Sequence, residues 1–307
     1  RDLPPFPTRR SSDLDEVRQS VSRESKLRRL RGSHIIFSRE KLPIECAVTM
    51  LHPRDHRALF AIPWEGRTMI GTTDLDDPTT EEEARIDALE YEYLMEAAQY
   101  AFPDFPVTDS DLISSFAGLR PVINTNAPTP SQESRAHQVW EENGLVTVSG
   151  GKLTIFRVMA ADVLNFCRDR LPNNPKFDHQ SPCFIHPKPE MTSKASESAW
   201  QMMAGRLGED VRVFFDSASP EALQPIDPMP QFWAEMAWAA ENEAVVHLDD
   251  LLLRRVRVGL LLPKGGLDEI GRIQALTQPK LGWSDETWRT EVDRYQKIWQ
   301  QSYHLPH

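Results

Sequence analysis

Residues 144–157 read GLVTVSGGKLTIFR, and the fold turns on reading them as a strand, a tight turn and a helix. Leu145, Val146, Thr147 and Val148, three of them β-branched, follow the turn signal Glu142-Asn143-Gly144 and predict a strand, with residues 137–141 as its hairpin partner. Phe156, Met159, Ala160, Val163, Leu164, Cys167 and Leu171 recur at three- and four-residue spacing up to Pro172, which predicts a helix with one apolar, core-facing side. Between the two, Gly150 and Gly151 let the backbone approach a ligand. The free N–H groups at the helix start and the charge of Lys152 favour a negative group or carbonyl oxygens there. A plain tight connection with a solvated Lys152 fits the same spacing, because short glycine motifs carry little information alone.

The 307 residues, 40% apolar and 26% charged, have room for two domains and a sizeable core, and exclude disordered and fibrous classes. A formal charge of −11 with no concentrated basic face beyond the first thirty-odd residues argues against a nucleic-acid partner. Cys46, Cys167 and Cys183 are odd in number, far apart and without CxxC spacing, so neither a disulfide framework nor a metal site is indicated and a reducing, cytoplasmic location is expected. No run of eighteen apolar residues occurs, which leaves peripheral contact as the form a membrane association would take.

Residues 1–14, RDLPPFPTRRSSDL, lack periodicity; FPTRRSSDL can be read in frame from a common sequencing adapter, so this stretch is expected to be a non-native scar on a protein that begins further upstream. Residues 15–172 form the first functional region. Its basic start, with Arg18, Arg23, Lys26, Arg28, Arg29 and Arg31, reads as a solvated linker into a strand at 34–37. Residues 58–64 and 67–73 read as a hairpin across Glu65-Gly66. Thr79 and Thr80 read as the cap of a helix running to about Tyr100, with Ala88, Tyr91, Leu94, Met95 and Ala98 as its buried stripe. Residues 111–122 read as a strand followed by a Pro-, Asn- and Thr-rich loop. Residues 173–195 are too rich in proline for a long element and read as a linker. Residues 196–307 read as an all-helical domain, with helices at 197–207, 209–215, 231–242, 248–262, 267–276 and 284–303 and six of the eight tryptophans as packing anchors.

Four stretches in order, GSHIIFSR at 32–39, FAIPWEGRTMIGTTD at 60–74, FAGLRPV at 116–122 and VSGGKLTIFR at 148–157, resemble the FAD-dependent glycerol-3-phosphate dehydrogenases of the aerobic type; HLDDLLLRRVRVGLLL at 247–262 is similar to the signature of that family's C-terminal domain. The resemblance implies an α+β flavoprotein fold of the D-amino-acid-oxidase type: an antiparallel substrate-domain sheet with part of a Rossmann-like FAD domain, followed by the helical domain. It implies FAD as cofactor and oxidation of sn-glycerol 3-phosphate to dihydroxyacetone phosphate, with electrons passed to a quinone or other acceptor.

By the same resemblance Arg120 and Arg135 are the arginines for the substrate phosphate, a role that suits planar guanidinium forks. His34 and Lys152 are the catalytic residues, His34 as the candidate base and Lys152 beside the flavin pyrimidine edge; Thr72, Thr73, Gly150, Gly151, Leu153 and Thr154 are the cofactor-binding residues. The chain departs from the family pattern at Ala136, where an acidic residue is common, and at Ile155-Phe156, where Thr-Tyr is usual. No GxGxxG occurs in these residues, so poor FAD binding by this piece alone is expected. Two alternatives stay open: an amino-acid or N-methyl-amine oxidase of the same flavoprotein group, and a non-catalytic cap and helical interaction module.

Overall fold

A computed structural model describes residues 14–19, 21–22, 24–77, 84–172, 182 and 189–306. Its strands are β1 (Leu27–Ser38), β2 (Val48–Leu51), β3 (Ala58–Trp64), β4 (Arg67–Gly71), β5 (Leu75–Asp76), β6 (Leu112–Ile123), β7 (Gln138–Glu142) and β8 (Leu145–Ser149). Its α-helices are α1 (Leu14–Arg18), α2 (Ala88–Ala101), α3 (Phe156–Phe166), α4 (Glu197–Leu207), α5 (Val211–Ser217), α6 (Ala234–Asn242), α7 (Val258–Leu261), α8 (Ile270–Leu281) and α9 (Asp285–Ser302). The chain divides into two units: residues 1–32, 73–84 and 118–183 form one, and residues 33–72, 85–117 and 184–307 the other.

In the larger unit β2, β3, β4 and the second half of β1 lie side by side, every neighbouring pair antiparallel. The β3–β4 hairpin closes as predicted: Glu65 (φ 51°) and Gly66 (φ 78°) both adopt the left-handed conformation that lets a two-residue turn follow the strand twist. Alternation gives the sheet two apolar faces. Ile35, Phe37, Leu59, Ala61 and Ile70 pack with Leu94, Met95, Ala97 and Ala98 of α2, while Ile36, Met69, Trp64 and Phe116 pack with Leu251, Leu252, Val258, Leu261 and Trp299 of the helical segment.

The start of α2 corrects the expectation from Thr79 and Thr80, which lie outside the described residues. The helix begins at Ala88, and Asp87 and Glu90 cap it reciprocally: the Glu90 N–H donates to Asp87 Oδ1 (2.8 Å) and the Asp87 N–H to Glu90 Oε2 (3.3 Å). A carboxylate pair spaced three apart satisfies two otherwise orphan N–H groups at once, a stronger start signal than a threonine pair. Consequently Ala88 is exposed, and Ala97, which the sequence reading did not include, joins Leu94, Met95 and Ala98 in the buried stripe.

Helices follow the proline-rich stretch, and α4 has the predicted bounds. The predicted helix over 248–262 is instead broken. Residues Asp250–Arg255 form a wide turn in which the Val256 N–H reaches Leu251 O (3.0 Å), Arg257 is left-handed (φ 63°), and α7 follows. The break gives Arg257 a partner, because its Nη2 reaches Glu65 Oε1 (2.9 Å), while Arg206 and Gln231 donate to the other oxygen of Glu65. It also leaves carbonyls at the end of α7 without helical donors. Ser114 Oγ of β6 donates to Leu260 O (2.6 Å) and Arg67 Nε of β4 to Leu261 O (2.7 Å), so the strands complete the helix end. Of the six C-terminal tryptophans, Trp200, Trp233, Trp288 and Trp299 are buried, as packing anchors should be.

The smaller unit holds β7–β8, α3, α1 and the first half of β1, which pairs with β5. Here the solvated-linker expectation fails. Arg18 is fully buried at the end of α1, donating from Nε and Nη2 to Glu142 (both 2.8 Å) and pairing with Asp15. β1 begins at Leu27, seven residues earlier than predicted, because Arg28 and Arg31 find carboxylates: Arg28 meets Asp76 (2.6 Å) and Glu133 (3.0 Å), and Arg31 meets Asp77 (3.3 Å).

The expected core-facing side of α3 is also corrected. Ala161 is the buried residue of this helix, while Phe156, Val158 and Phe166 are 43%, 46% and 46% exposed. Among the described residues α3 packs on β7 and on the 3₁₀ turn that leads into it.

Asp87→Ala removes one arm of the α2 capping box and is expected to lower stability by about 1 kcal/mol, a Tm fall of about 2–4 °C in thermal unfolding, with Glu90→Gln milder because the amide still accepts.

Candidate functional site

In the larger unit the site residues sit on the sheet. Register places Thr49 opposite Phe60, Phe60 opposite Gly71 and Gly71 opposite His34, so these four form one cross-strand row on a single face. The His34 ring stacks on Phe116 at 4.7 Å with 9° between planes. Gly71 makes this posture possible, since a Cβ there would strike the imidazole. Phe60 beside it is 45% exposed. Thr72 follows β4, and its carbonyl accepts from Arg57 Nη2 at 3.2 Å.

In the smaller unit one carboxylate gathers the two predicted arginines. Arg120 Nη1 donates to Asp74 Oδ1 (3.0 Å) and to the Thr73 carbonyl (3.3 Å), and Arg135 Nη2 donates to Asp74 Oδ2 (2.8 Å). The guanidinium of Arg120 occupies the space that a side chain at Gly32 would fill. Both arginine side chains are about one-third exposed (33% and 34%), against 4% for Asp74, so the carboxylate lies behind and the cations in front. Thr73, a predicted cofactor residue, is itself buried.

The loop between β6 and β7 is built around another carboxylate. Glu133 accepts from Thr125 Oγ1 (2.6 Å), the Thr125 N–H (3.0 Å), the Ala127 N–H (3.2 Å) and Arg28 Nη1 (3.0 Å). These bonds to Thr125 above all, then to Arg28 and the loop amides, hold the Glu133 carboxyl down at about 2. The loop that carries Arg135 is therefore ordered by charge and hydrogen bonding.

The Gly-Gly-Lys stretch forms the expected tight turn after β8. Gly150 (φ 76°) and Gly151 (φ 77°) are both left-handed; a Cβ on Gly150 would meet the Ala136 carbonyl at 2.6 Å, and one on Gly151 would meet Met159 Sδ at 2.6 Å. A short 3₁₀ turn, Leu153–Ile155, stands between Lys152 and α3, which begins at Phe156, where the apolar spacing begins. Lys152, Leu153 and Thr154 are all exposed, Leu153 by 88%. His137 Nε2 and Asp162 Oδ2 lie 2.7 Å apart and tie β7's entry to α3 beside this turn.

Sequence reasoning missed Asp74, Glu133 and the His137–Asp162 pair. Asp74 stood at the end of the quoted IGTTD stretch, and an acid near two arginine motifs was its available signal. Glu133 and His137 flank Arg135 in SQESRAH, but their partners lie elsewhere in sequence.

Comparison with known proteins adds three findings. A family model described as FAD dependent oxidoreductase matches residues 12–157, and one described as C-terminal domain of alpha-glycerophosphate oxidase matches residues 179–288. Aerobic glycerol-3-phosphate dehydrogenase of Staphylococcus aureus (strain USA300) is 30% identical over 273 residues, covering 79% of this chain and 48% of the relative; the protein of strain NCTC 8325 matches to the same extent. The chain thus spans about half the length of these curated relatives. The crystal structure of glycerol-3-phosphate dehydrogenase from Bacillus halodurans complexed with FAD superposes with a TM-score of 0.70 at 20% identity, over 94% of this chain and 60% of that one, which supports the same fold.

Because the carboxyl of Glu133 is depressed in the folded state, the stability it contributes is complete above its ordinary value near 4.5 and is lost as pH falls towards 2. Glu133→Gln is therefore expected to be less stable than the parent at pH 7, with the difference shrinking between about pH 4.5 and 2 when denaturation is followed across that range.

Proposed function

Since the chain belongs to the family of FAD-dependent glycerol-3-phosphate dehydrogenases, we propose that the protein carrying it oxidises sn-glycerol 3-phosphate to dihydroxyacetone phosphate. FAD, when bound, supplies the hydride acceptor. The turn at Gly150 and Gly151 fits the flavin end of that cofactor: it presents exposed Lys152, Leu153 and Thr154 with no side chain on the two preceding residues. A cation at the start of a helical turn favours the negative charge of a reduced ring. Thr72 and Thr73, which follow β4, are the further proposed cofactor residues.

The observation that carries the substrate reading is the pair of partly exposed arginines on Asp74. Two guanidiniums and one carboxylate leave a net positive charge on two partly exposed side chains, which suits a dianionic phosphate ester better than the singly charged carboxylate of an amino-acid or amine-oxidase substrate. Oxidation of the secondary alcohol requires loss of the hydroxyl proton as hydride leaves the same carbon and the carbonyl forms. His34 is the proposed proton acceptor, its ring held flat by Phe116 and by the missing side chain of Gly71.

A quinone or another carrier is the proposed electron acceptor, and the proposed setting is cytoplasmic with peripheral membrane contact. No helix among the described residues is long and apolar enough to cross a membrane.

The longest encoded polypeptide that includes these residues, loaded with FAD, is expected to oxidise glycerol 3-phosphate with an artificial acceptor and to leave glycine and sarcosine untouched. His34→Ala is expected to lower kcat by about 10²–10⁴-fold with KM little changed. Preferential turnover of sarcosine would overturn the substrate reading.

Gly71→Ala tests the posture of the proposed base: the added Cβ is expected to displace the imidazole and reduce kcat by at least about tenfold, with His34 ring resonances shifted in the NMR spectrum.

A further inference from the structure

We propose that Asp74 is the positioning residue of the phosphate site, its carboxylate holding Arg120 and Arg135 converged on a dianionic ester. The inference rests on the phosphate-ester reading above, and it assigns a task to a residue outside the substrate-facing pair.

Three features of the smaller unit support it. The two guanidiniums use different oxygens of one carboxylate, Arg120 on Oδ1 (3.0 Å) and Arg135 on Oδ2 (2.8 Å), so each arginine is fixed relative to the other. The carboxylate is nearly inaccessible while both cations reach solvent, the order of layers needed for an anion to meet the arginines first. Arg120 is also held from behind, by the Thr73 carbonyl (3.3 Å) and by the space that Gly32 leaves open.

Two long, rotamer-rich cations brought together repel one another and lose side-chain freedom. A buried acid between them offsets the repulsion and orders them before the ligand arrives, so less of the ligand's binding energy is spent on ordering. Removal of Asp74 has two opposed effects. The site becomes more positive, which strengthens long-range attraction, but that attraction is screened at physiological salt, whereas the lost convergence is not. Convergence therefore decides the sign, and binding weakens.

The test compares the parent with Asp74→Asn and Asp74→Glu at 0.15 M salt, in the FAD-loaded full-length protein. Asp74→Asn is expected to raise KM for glycerol 3-phosphate by about tenfold or more with kcat within about threefold; Asp74→Glu, which keeps the charge, recovers part of the loss. An unchanged or lower KM in Asp74→Asn overturns the proposal.

A second measurement needs no turnover. In the folded chain the side-chain N–H signals of Arg120 and Arg135, assigned with Arg→Lys variants, are expected to be resolved by hindered rotation and to shift together on titration with inorganic phosphate. The Kd is expected to be about tenfold weaker in Asp74→Asn. Freely rotating guanidiniums in the parent, or equal phosphate affinity in the two proteins, overturn the proposal even if Asp74→Asn folds poorly. A parent that binds phosphate through both arginines yet fails to oxidise glycerol 3-phosphate overturns the function instead and leaves the role of Asp74 standing.

Discussion

The antiparallel pairing of β1 with β4 is the constraint on which the larger unit depends. One register brings His34 opposite Gly71 and, two steps along, Ile36 opposite Met69, so the same strand face that presents the imidazole also enters the apolar core. The opposite face of the same two strands buries Ile35, Phe37 and Ile70 under α2. A slip of one residue would exchange these faces, turning His34 and Ile36 towards α2 and Ile35 and Phe37 towards the helical segment, so that neither set would meet the neighbours it packs with. The packing lost on both faces pins the ring where it is.

Each unit has its own internal means of cohesion. The larger has extensive apolar clusters, centred on Ile36, Leu252, Tyr295 and Trp299 in one place and on Phe37, Leu59 and Leu94 in another. Polar contacts finish it where the backbone breaks: Tyr295 donates to Gly265 O (2.6 Å) and Trp299 Nε1 to Gly259 O (2.7 Å). Gly265 must be glycine twice over, for its φ of 70° and because a Cβ would press on the Trp299 ring at 2.7 Å. The smaller unit relies instead on charge, with Arg18 on Glu142, Arg28 on Asp76 and Glu133, and Arg120 and Arg135 on Asp74. Such pairs give direction rather than large stabilisation, because desolvation offsets much of the attraction.

Local patterns were legible in the sequence where the cause of the structure was local. The Glu65-Gly66 hairpin, the β7–β8 hairpin, the left-handed Gly150-Gly151 turn and α4 all follow from residues within a few positions of each other. What could not be read depends on partners far along the chain. Arg18 looked solvated because its carboxylate, Glu142, is 124 residues away. The helix over 248–262 looked continuous because its break serves Glu65, 192 residues earlier. The apolar spacing of α3 predicts a core face, but periodicity reports which side of a helix is apolar and is silent on what covers it.

The candidate site divides along the same line. His34, Arg120, Arg135 and the Gly-Gly-Lys turn could be chosen by residue type and motif, since each carries chemistry that few residues supply. Asp74 could not, because an aspartate in a strand-following loop is ordinary until two arginines converge on it. Its importance is relational. A single arginine aimed at an anion supplies one positive charge, whereas two arginines locked at a fixed separation supply two charges and more donors, which suits a dianion with three terminal oxygens better than a singly charged carboxylate. In the proposed phosphate site the preference for a dianionic ester therefore depends on the buried acid behind the arginines as much as on the arginines themselves.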